Sequence, residues 1–371
     1  MAVIKRVRLS EIAELVTKGT TPTTLGYEFQ DTGVNFLKIE CFSEKGDYIQ
    51  NKATHISEEC HEKLKRSQLK EGDILFSIAG VIGRVAIVTR NMLPANINQA
   101  LAIIRIKKDD IYLPYVKLIL TSPLIKKQFE RKKQGVAQLN ISLKDINDLE
   151  IPLPEISKQI EYANSFKKVE KLIYTRQYQL QKLDELVKAR FVEMFGDDKY
   201  SKTPLINLIT EGAGLSYGIV QPGDSGTGDM GVLRPVDMVN GKISTHSIKY
   251  IDRSIGASFK KTELVGDELL ITVRGTTGVT ALTDSRFKNM NVTRGIAVIR
   301  YDRRKINPIY LNAFLNTDES QQYIQEHTRG ATLQQINLSD LRVHMIPVPP
   351  IELQEKLADF IQQVDKSKVV A

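Results

Sequence analysis

The chain has 371 residues, of which 42% are hydrophobic and 26% charged, a composition typical of a globular protein with more than one domain. No run of about 18 apolar residues occurs and the first residues lack the apolar core of a signal peptide, so we predict a cytoplasmic protein with no membrane partner. Two cysteines are too few for a disulfide framework, and the net charge of +8 favours a polyanionic partner.

The sequence contains one pattern twice, at a spacing of 195 residues. Residues 135–154 read GVAQLNISLKDINDLEIPLP, and residues 330–349 read GATLQQINLSDLRVHMIPVP. Chance would give about one identity in twenty positions, so we infer an internal duplication. The seven identical pairs are Gly135/Gly330, Ile141/Ile336, Leu143/Leu338, Asp145/Asp340, Ile151/Ile346, Pro152/Pro347 and Pro154/Pro349.

Each copy begins with short β-branched runs that are separated by glycine-rich turns, which predicts strands. Gly-Asp pairs at 72–73 and 266–267 precede the runs ILFSIAGVIG (74–83) and ELLITVRGTTG (268–278), so the second run is predicted to carry one extra residue. The strand-like runs LAIIRI and IAVIRY follow, with Ala102/Ala297 and Arg105/Arg300 in register.

The second part of each copy is predicted to be helical. Tyr115 and Tyr310 lie near the start of helices expected at about 113–133 and 308–328. Capping signals then begin a short helix, Ser142-x-x-Asp145 in one copy and Asn337-x-x-Asp340 in the other. The closing IPLP and IPVP segments carry two prolines each, which indicates edge strands.

A long helix is predicted after the first copy, because residues 156–195 contain neither proline nor glycine and Gly196 follows. Forty helical residues would form a rod of roughly 60 Å, whose apolar stripe has to pack on another long helix. The equivalent helix begins at Ile351 and is about 20 residues shorter by the 195-residue offset. A cut chain and a functional half-length helix both fit this difference.

These features in this order resemble the specificity subunits of type I restriction–modification enzymes. The resemblance rests on Gly-Asp-x-Leu followed by Gly-x-x-Gly, on QLNISLKD…IPLP, on the helix end KLDELVKARFVEMFGD, and on YGIVQPGD at 217–224. It implies an α+β fold with two pseudo-repeated mixed α/β DNA-recognition domains, each followed by a long helix, the helices pairing antiparallel with pseudo-two-fold symmetry. The expected bounds are 1–154 for the first domain, 155–196 for its helix, 197–349 for the second domain and 350–371 for its helix.

The resemblance also implies a function. A subunit of this family reads a bipartite target on double-stranded DNA, and two methyltransferase subunits dock on it and carry S-adenosylmethionine for N6-adenine methylation. Restriction–translocase subunits add ATP-dependent cleavage. The chain itself is expected to hold no catalytic residue, cofactor or metal ion. Because the copies differ most at 19–70 and 214–262, the two half-sites should differ.

Candidate DNA-contacting residues are polar side chains in or beside glycine-containing turns, since Arg, Asn and Gln can pair with base edges and Lys, Ser and Thr with phosphates. Arg274, in the turn Val-Arg-Gly-Thr-Thr-Gly, is the strongest single candidate. The first copy supplies Lys18, Thr20, Thr21, Ser77, Arg84, Gln99, Gln138 and Asn140, and the second supplies Tyr217, Gln221, Arg234, Arg274, Thr276, Thr277, Arg294, Gln334 and Gln335.

Two other functions stay open: a DNA methyltransferase with a fused recognition domain, and a structural or interaction protein with duplicated modules on a coiled coil. GTGDMG at 226–231 satisfies Gly-x-Gly-x-x-Gly, yet it lacks the preceding strand and following helix of a cofactor loop. Asn-Pro-Ile-Tyr at 307–310 resembles a methyltransferase motif, but a helix start explains it and no cofactor loop accompanies it, so we predict no catalytic role there. His55, Cys60 and His61 are interpreted as surface residues because they lack zinc-type spacing.

Overall fold

The computed structural model describes residues 4–107, 110–131, 141–196, 199–221, 223, 228–239 and 241–370. The chain forms two compact units, Met1–Ile173 and Tyr174–Ala371, and each unit contains one copy of the repeat. None of the helices in the described part of the chain combines the length and the apolar character that crossing a bilayer requires.

The described part of the first unit contains nine strands and several helices. The strands are β1 Arg6–Arg8, β2 Ala13–Lys18, β3 Val34–Leu37, β4 Thr54–Ile56, β5 Ile74–Ser77, β6 Val85–Ile87, β7 Ala95–Ile97, β8 Leu101–Ile106 and β9 Glu150–Pro152. The helices are α1 Leu9–Ile12, α2 Glu58–Lys63, α3 Leu113–Leu120, α4 Pro123–Arg131, α5 Leu143–Asn147 and α6 Ile156–Phe195, the last of which extends into the second unit.

The second unit repeats this arrangement. Its strands are β10 Lys202–Pro204, β11 Ser216–Tyr217, β12 Met230–Leu233, β13 Met238–Val239, β14 Lys242–Ile243, β15 Lys249–Ile251, β16 Leu269–Thr272, β17 Thr280–Leu282, β18 Asn291–Val292, β19 Ile296–Ile299 and β20 Met345–Pro347. Its helices are α7 Arg253–Gly256, α8 Pro308–Leu315, α9 Asp318–Glu326, α10 Leu338–Arg342 and α11 Ile351–Val370.

An antiparallel four-stranded sheet forms the centre of each unit, in the order β2-β8-β5-β6 in the first and β11-β19-β16-β17 in the second. Alternate side chains of its strands face opposite sides of the sheet. Phe76 and Ile104 pack with the helices α3 to α5, and Leu75 and Ile103 pack with the three-stranded sheet β4-β3-β7. The central sheet is therefore buried on both faces.

The 195-residue offset holds through both central sheets without an extra residue. Leu75 pairs with Ile103 across β5 and β8, and Leu270 pairs with Val298 across β16 and β19. The prediction that the second run carries one extra residue was therefore wrong. The Gly-Asp pairs are not equivalent, because the carboxylate that faces the arginine of the neighbouring strand belongs to Asp73 in the first unit and to Glu268 in the second.

Each helix predicted at 113–133 or 308–328 is two shorter helices. Pro123 starts α4, because proline cannot donate a hydrogen bond that would continue α3. In the second unit the Thr317 hydroxyl caps α9 by accepting a hydrogen bond from the Ser320 amide. The predicted capping box of Ser142 and Asp145 is confirmed, whereas the side chain of Asn337 makes no capping bond to α10.

Two residue pairs shared by the copies fasten the helices to the closing strand. The hydroxyls of Tyr115 and Tyr310 donate to the carbonyls of Pro152 and Pro347, each at 2.8 Å. The side-chain oxygen of buried Gln354 accepts a hydrogen bond from the Asn307 backbone amide at 2.8 Å, and its side-chain nitrogen donates to the Pro349 carbonyl at 2.8 Å. Gln159 makes the same bonds to Tyr112 and Pro154. The closing strands β9 and β20 each lie in a two-stranded sheet, as the prolines predict.

The predicted long helix is confirmed, since α6 spans 156–195. Within the second unit α11 packs antiparallel on the last turns of α6. Lys368 of α11 pairs with Asp184 of α6 at 2.8 Å, and Arg190 of α6 lies over the Phe360 ring of α11. Phe191 and Phe195 of α6 contact the ring of buried Tyr310. The apolar side chains nearer the start of α6, such as Phe166 and Val169, are exposed.

Candidate nucleic-acid interface

Four segments of the second unit meet at one edge of its central sheet. The Val273 amide donates to the Gly295 carbonyl at 2.8 Å, and the Ile336 amide donates to the Val273 carbonyl at 3.0 Å. The Arg294 amide donates to the Ile219 carbonyl at 2.9 Å. The turn 273–278 is thereby held between the segments 217–221, 293–295 and 329–337.

Most of the predicted second-copy residues are brought together at this edge. Arg274 forms a β-bridge with Gln335, and the Gly275 amide donates to the Gln334 carbonyl at 2.9 Å. Arg294 is exposed and Arg274 half-buried, and neither guanidinium forms an ion pair with a described residue. The exposed residues Gln221 and Thr276 complete the set with Tyr217, whose hydroxyl accepts a hydrogen bond from the Leu338 amide.

Arg329, which was not predicted from the sequence, also belongs to this edge. Its backbone pairs in both directions with Gln335 at 2.8 Å, and its side chain is 71% exposed. The carboxylate of Asp340 lies 3.9 Å from the guanidinium, a long contact that leaves most donors free for a ligand. Arg329 directly precedes Gly330, the first identical residue of the repeated segment, and this position is the sequence signal that could have identified it.

The first unit has an equivalent edge. Lys18 pairs with Ala102 as Tyr217 pairs with Ala297, so these two side chains occupy matching positions. Gly19 follows, and a Cβ there would lie 1.9 Å from the Ile97 carbonyl oxygen, so only glycine fits. Beyond it, half-buried Thr20 precedes Thr21, whose hydroxyl donates to the side-chain oxygen of exposed Gln99.

Four predicted contact residues use their side chains inside the protein. The Ser77 hydroxyl is buried, donates to the Val81 carbonyl and accepts from the Arg84 amide. The Arg84 guanidinium donates to the Phe42 carbonyl at 2.8 Å. Thr277 is 5% exposed and bonds Thr328.

Arg234 is the fourth of these residues. Its guanidinium hydrogen-bonds the buried carboxylate of Asp237, which raises the pKa of Arg234, and it also donates to the Ser247 carbonyl. In these four positions the polar groups of the side chains are bonded to other groups of the protein. Gln138 and Asn140 lie outside the described residues.

The motifs considered for catalysis have structural explanations. The Asn307 side chain accepts hydrogen bonds from the Ile309 and Tyr310 amides and so caps α8, with Pro308 in its first turn. The segment 226–231, described only from Gly228, leads into strand β12 and not into the helix that a cofactor loop needs.

Metal-binding groups are not assembled in the described part of the chain: no three His, Cys, Asp or Glu side chains are arranged to hold an ion. Cys60, interpreted from sequence as a surface residue, is buried in a cluster with Phe36 and Ile56. The His61 ring hydrogen-bonds the side chain of buried Asn96.

A family model described as the type I restriction modification DNA specificity domain matches residues 3–185 and 225–369, which together make up most of the chain. The chain belongs to this family. The two matched segments are the two copies of the repeat, so the predicted family and the predicted duplicated fold are confirmed.

Two curated relatives of the chain are also named as type I specificity subunits. The EcoBI specificity subunit of Escherichia coli is 26% identical over 167 residues, which are 45% of this chain but only 35% of that protein. The MjaX specificity subunit of Methanocaldococcus jannaschii is 26% identical over 384 residues, 96% of this chain and 85% of the relative.

Two solved structures show the same fold. A chain from a type I restriction–modification system, solved to explain complex assembly and conformational transition, has a TM-score of 0.60 at 16% identity and covers 99% of this chain and 91% of its own length. The specificity subunit from M. genitalium has a TM-score of 0.51 at 12% identity, covering 98% and 90%.

Proposed function

We propose that the chain is the sequence-specific DNA-binding subunit of a type I restriction–modification enzyme, without a catalytic role of its own. The observation that supports this best is the pair of equivalent sheet edges, each presenting cationic and amide side chains on a backbone held by hydrogen bonds from three segments. Family membership and the names of the relatives support the same function. They do not favour a fused methyltransferase or a purely structural protein.

We further propose how the parts divide the work. Residues 1–154 and 197–349 each read one half-site of a bipartite target on double-stranded DNA, and the helices within 155–196 and 350–371 set the distance between the half-sites. Two methyltransferase subunits that carry S-adenosylmethionine dock on this chain, and restriction–translocase subunits join them in the cytoplasm.

The proposed DNA-contacting residues are those at the two sheet edges. Ser77, Arg84, Arg234 and Thr277 act indirectly, by holding the edges in shape, and Gln138 and Asn140 stay predictions. The direct contacts that we propose are Lys18, Thr20, Thr21, Gln99, Tyr217, Gln221, Arg274, Thr276, Arg294, Arg329, Gln334 and Gln335.

The experiment that tests this function is sequencing of genomic DNA for N6-methyladenine in cells with and without the gene, in the presence of the cognate methyltransferase gene. We expect methylation to disappear from one bipartite, asymmetric motif when this gene is deleted. An unchanged methylation pattern, together with salt-insensitive DNA binding by the complex, would contradict the proposal, because phosphate contacts make affinity fall with salt.

Arg274→Ala is the sharpest single substitution. A bidentate arginine–guanine contact contributes about 1–3 kcal/mol, so we expect roughly 10- to 100-fold weaker binding of the complex, with relaxed selectivity in one half-site only. Arg286→Ala is the matched control, since Arg286 is an exposed arginine at the opposite end of β16 and β17 that pairs with Asp284. Equal loss of selectivity in both half-sites would argue against independent recognition domains.

A further inference from the structure

The turn that joins β5 to β6 in the first unit carries different side chains from the equivalent turn between β16 and β17 in the second unit. We propose that the first repeat reads an A·T base pair with Gln99 and Val81, and that the matching positions of the second repeat are equipped for guanine. This inference rests on the proposed DNA-reading function and assigns base preferences to its two halves.

The positions match because the backbone bonds around them match. The Ile78 amide donates to the Ala100 carbonyl at 2.9 Å, as the Val273 amide does to Gly295 at 2.8 Å. Ile141 donates to Ile78 at 3.1 Å, as Ile336 does to Val273 at 3.0 Å. With this register Val81 corresponds to Thr276, Ala79 to Arg274, and Gln99 to Arg294.

Val81 is held in an exposed position at the tip of its turn. Val81 is 56% exposed, while its carbonyl accepts a hydrogen bond from the Ser77 hydroxyl. Gly80 and Gly83 adopt φ values of 69° and 86°, and the Gly83 amide closes the turn on the Ser77 carbonyl at 3.1 Å. The turn therefore presents an apolar group on a fixed backbone, although the core makes no use of it.

Gln99 is exposed and keeps groups that can pair with a base. The Thr21 hydroxyl donates to its side-chain oxygen, which keeps a second lone pair free while the amide nitrogen can still donate. Adenine presents an N6 donor and an N7 acceptor in the major groove, and glutamine can satisfy both. The thymine of the same base pair presents its methyl group beside them, which suits an exposed valine.

The second unit presents the opposite chemistry on the same backbone. Arg274 and Arg294 are guanidinium groups without an ion pair among the described residues, and exposed Thr276 replaces the valine. Arginine pairs with the O6 and N7 acceptors of guanine. The half-site of the first repeat should therefore contain an A·T pair where that of the second contains a G·C pair.

The test uses the full chain in complex with its methyltransferase subunits, and duplexes that carry the target found by methylation sequencing. Each thymine is replaced in turn by deoxyuridine, which removes only the methyl group. We expect one replacement, in one half-site, to weaken binding about fourfold, the effect of one buried methyl group. Val81→Ala should abolish that sensitivity, and Val265→Ala, which alters an exposed valine preceding β16, should retain it.

Gln99→Ala supplies the second measurement. For the wild-type complex, replacing that A·T pair by G·C should weaken binding about tenfold or more, and for the variant this discrimination should largely disappear. Thermal unfolding of each variant confirms that it is folded.

The outcomes separate two failures. If the wild-type complex prefers its target but no deoxyuridine position matters, or if Val81→Ala stays sensitive, the base assignment is overturned while the DNA-reading function stands. If the wild-type complex binds target and scrambled duplexes equally, the function itself fails and the assignment with it.

Discussion

At equivalent positions of their central sheets the two units contain different arrangements of buried polar groups. In the first unit Arg105 and Asp73 form two hydrogen bonds of 2.7 Å, with Asp73 only 1% exposed. In the second unit the Arg300 Nε lies 3.6 Å from Glu268 and makes no hydrogen bond with a described residue. Glu268 instead accepts hydrogen bonds from three backbone amides and from Thr283.

A second difference lies between the helices and the closing strand. The first unit has Ile125 and Leu149 at this place, and both are buried apolar side chains. At the matching positions of the second unit the Ser320 hydroxyl and His344 Nε2 are 2.8 Å apart, and both residues are buried. The ring of His344 stacks on Tyr323 at 4.1 Å.

These differences show which features the fold requires. The register of β5 on β8 and of β16 on β19 is the same in both units, while the interior polar groups vary and most, though not Arg300 Nε, find a partner. The shared fold therefore depends on apolar periodicity and a few anchors such as Gln159 and Gln354. Individual ion pairs are free to change, and so are the residues of the candidate DNA interface.

The largest expected difference between the units concerns the two arginines. Arg105→Ala leaves the Asp73 carboxylate buried with only the Lys70 amide as donor among the described residues, and should lower the free energy of unfolding by about 3–5 kcal/mol. Arg300→Ala should cost only about 1 kcal/mol, because Glu268 keeps all four of its hydrogen bonds and only the bond from Arg300 to the Glu263 carbonyl is lost. Denaturant unfolding of both variants checks this, and equal losses would refute the comparison.

The next effect is a pH dependence confined to the second unit. Burial lowers the pKa of His344 to about 4 from an ordinary value of 6.5, with His327 and Lys202 also lowering it and Glu319 opposing them. The unfolded chain therefore binds a proton below pH 6.5 that the folded chain does not bind until about pH 4. Stability should fall across this window by about 3 kcal/mol.

Hydrogen exchange measured peptide by peptide can follow the two units separately. After correction for intrinsic exchange rates, protection of residues 338–348 should decrease between pH 7 and pH 4.5 more than that of residues 143–153. His344→Leu, which introduces the residue of the first repeat, is the control and should remove the difference. A persistent difference in this variant would exclude His344 as its source.

The smallest effect concerns the two helix caps. Ser142→Ala removes a side-chain cap from α5 and should cost about 1 kcal/mol of stability. Asn337→Ala should cost a few tenths of a kcal/mol, because its side chain makes no capping bond. Urea unfolding of the two variants decides this, and a larger loss for Asn337→Ala would show that its side chain has another role.

Much of the fold was predictable from local signals. The uninterrupted run at 156–195 predicted α6 correctly, and the paired prolines predicted the edge strands β9 and β20. The break between α3 and α4 was missed because the helical periodicity continues across Pro123 and hides it. The Gly-Asp pairs were misaligned because a shared dipeptide was given more weight than the arginine that faces Asp73 in one unit and Glu268 in the other.

The sequence by itself determined the duplication, the long helix, the family resemblance and the segments that hold candidate contact residues. Only the tertiary structure decided which of those side chains are presented. Ser77, Arg84 and Arg274 all lie in or beside glycine-containing turns, yet Arg84 donates to the carbonyl of Phe42, a residue 42 positions away, while Arg274 is left without an ion pair among the described residues. Local spacing cannot distinguish these cases, because the partner of a long polar side chain comes from whichever distant segment the fold brings beside it.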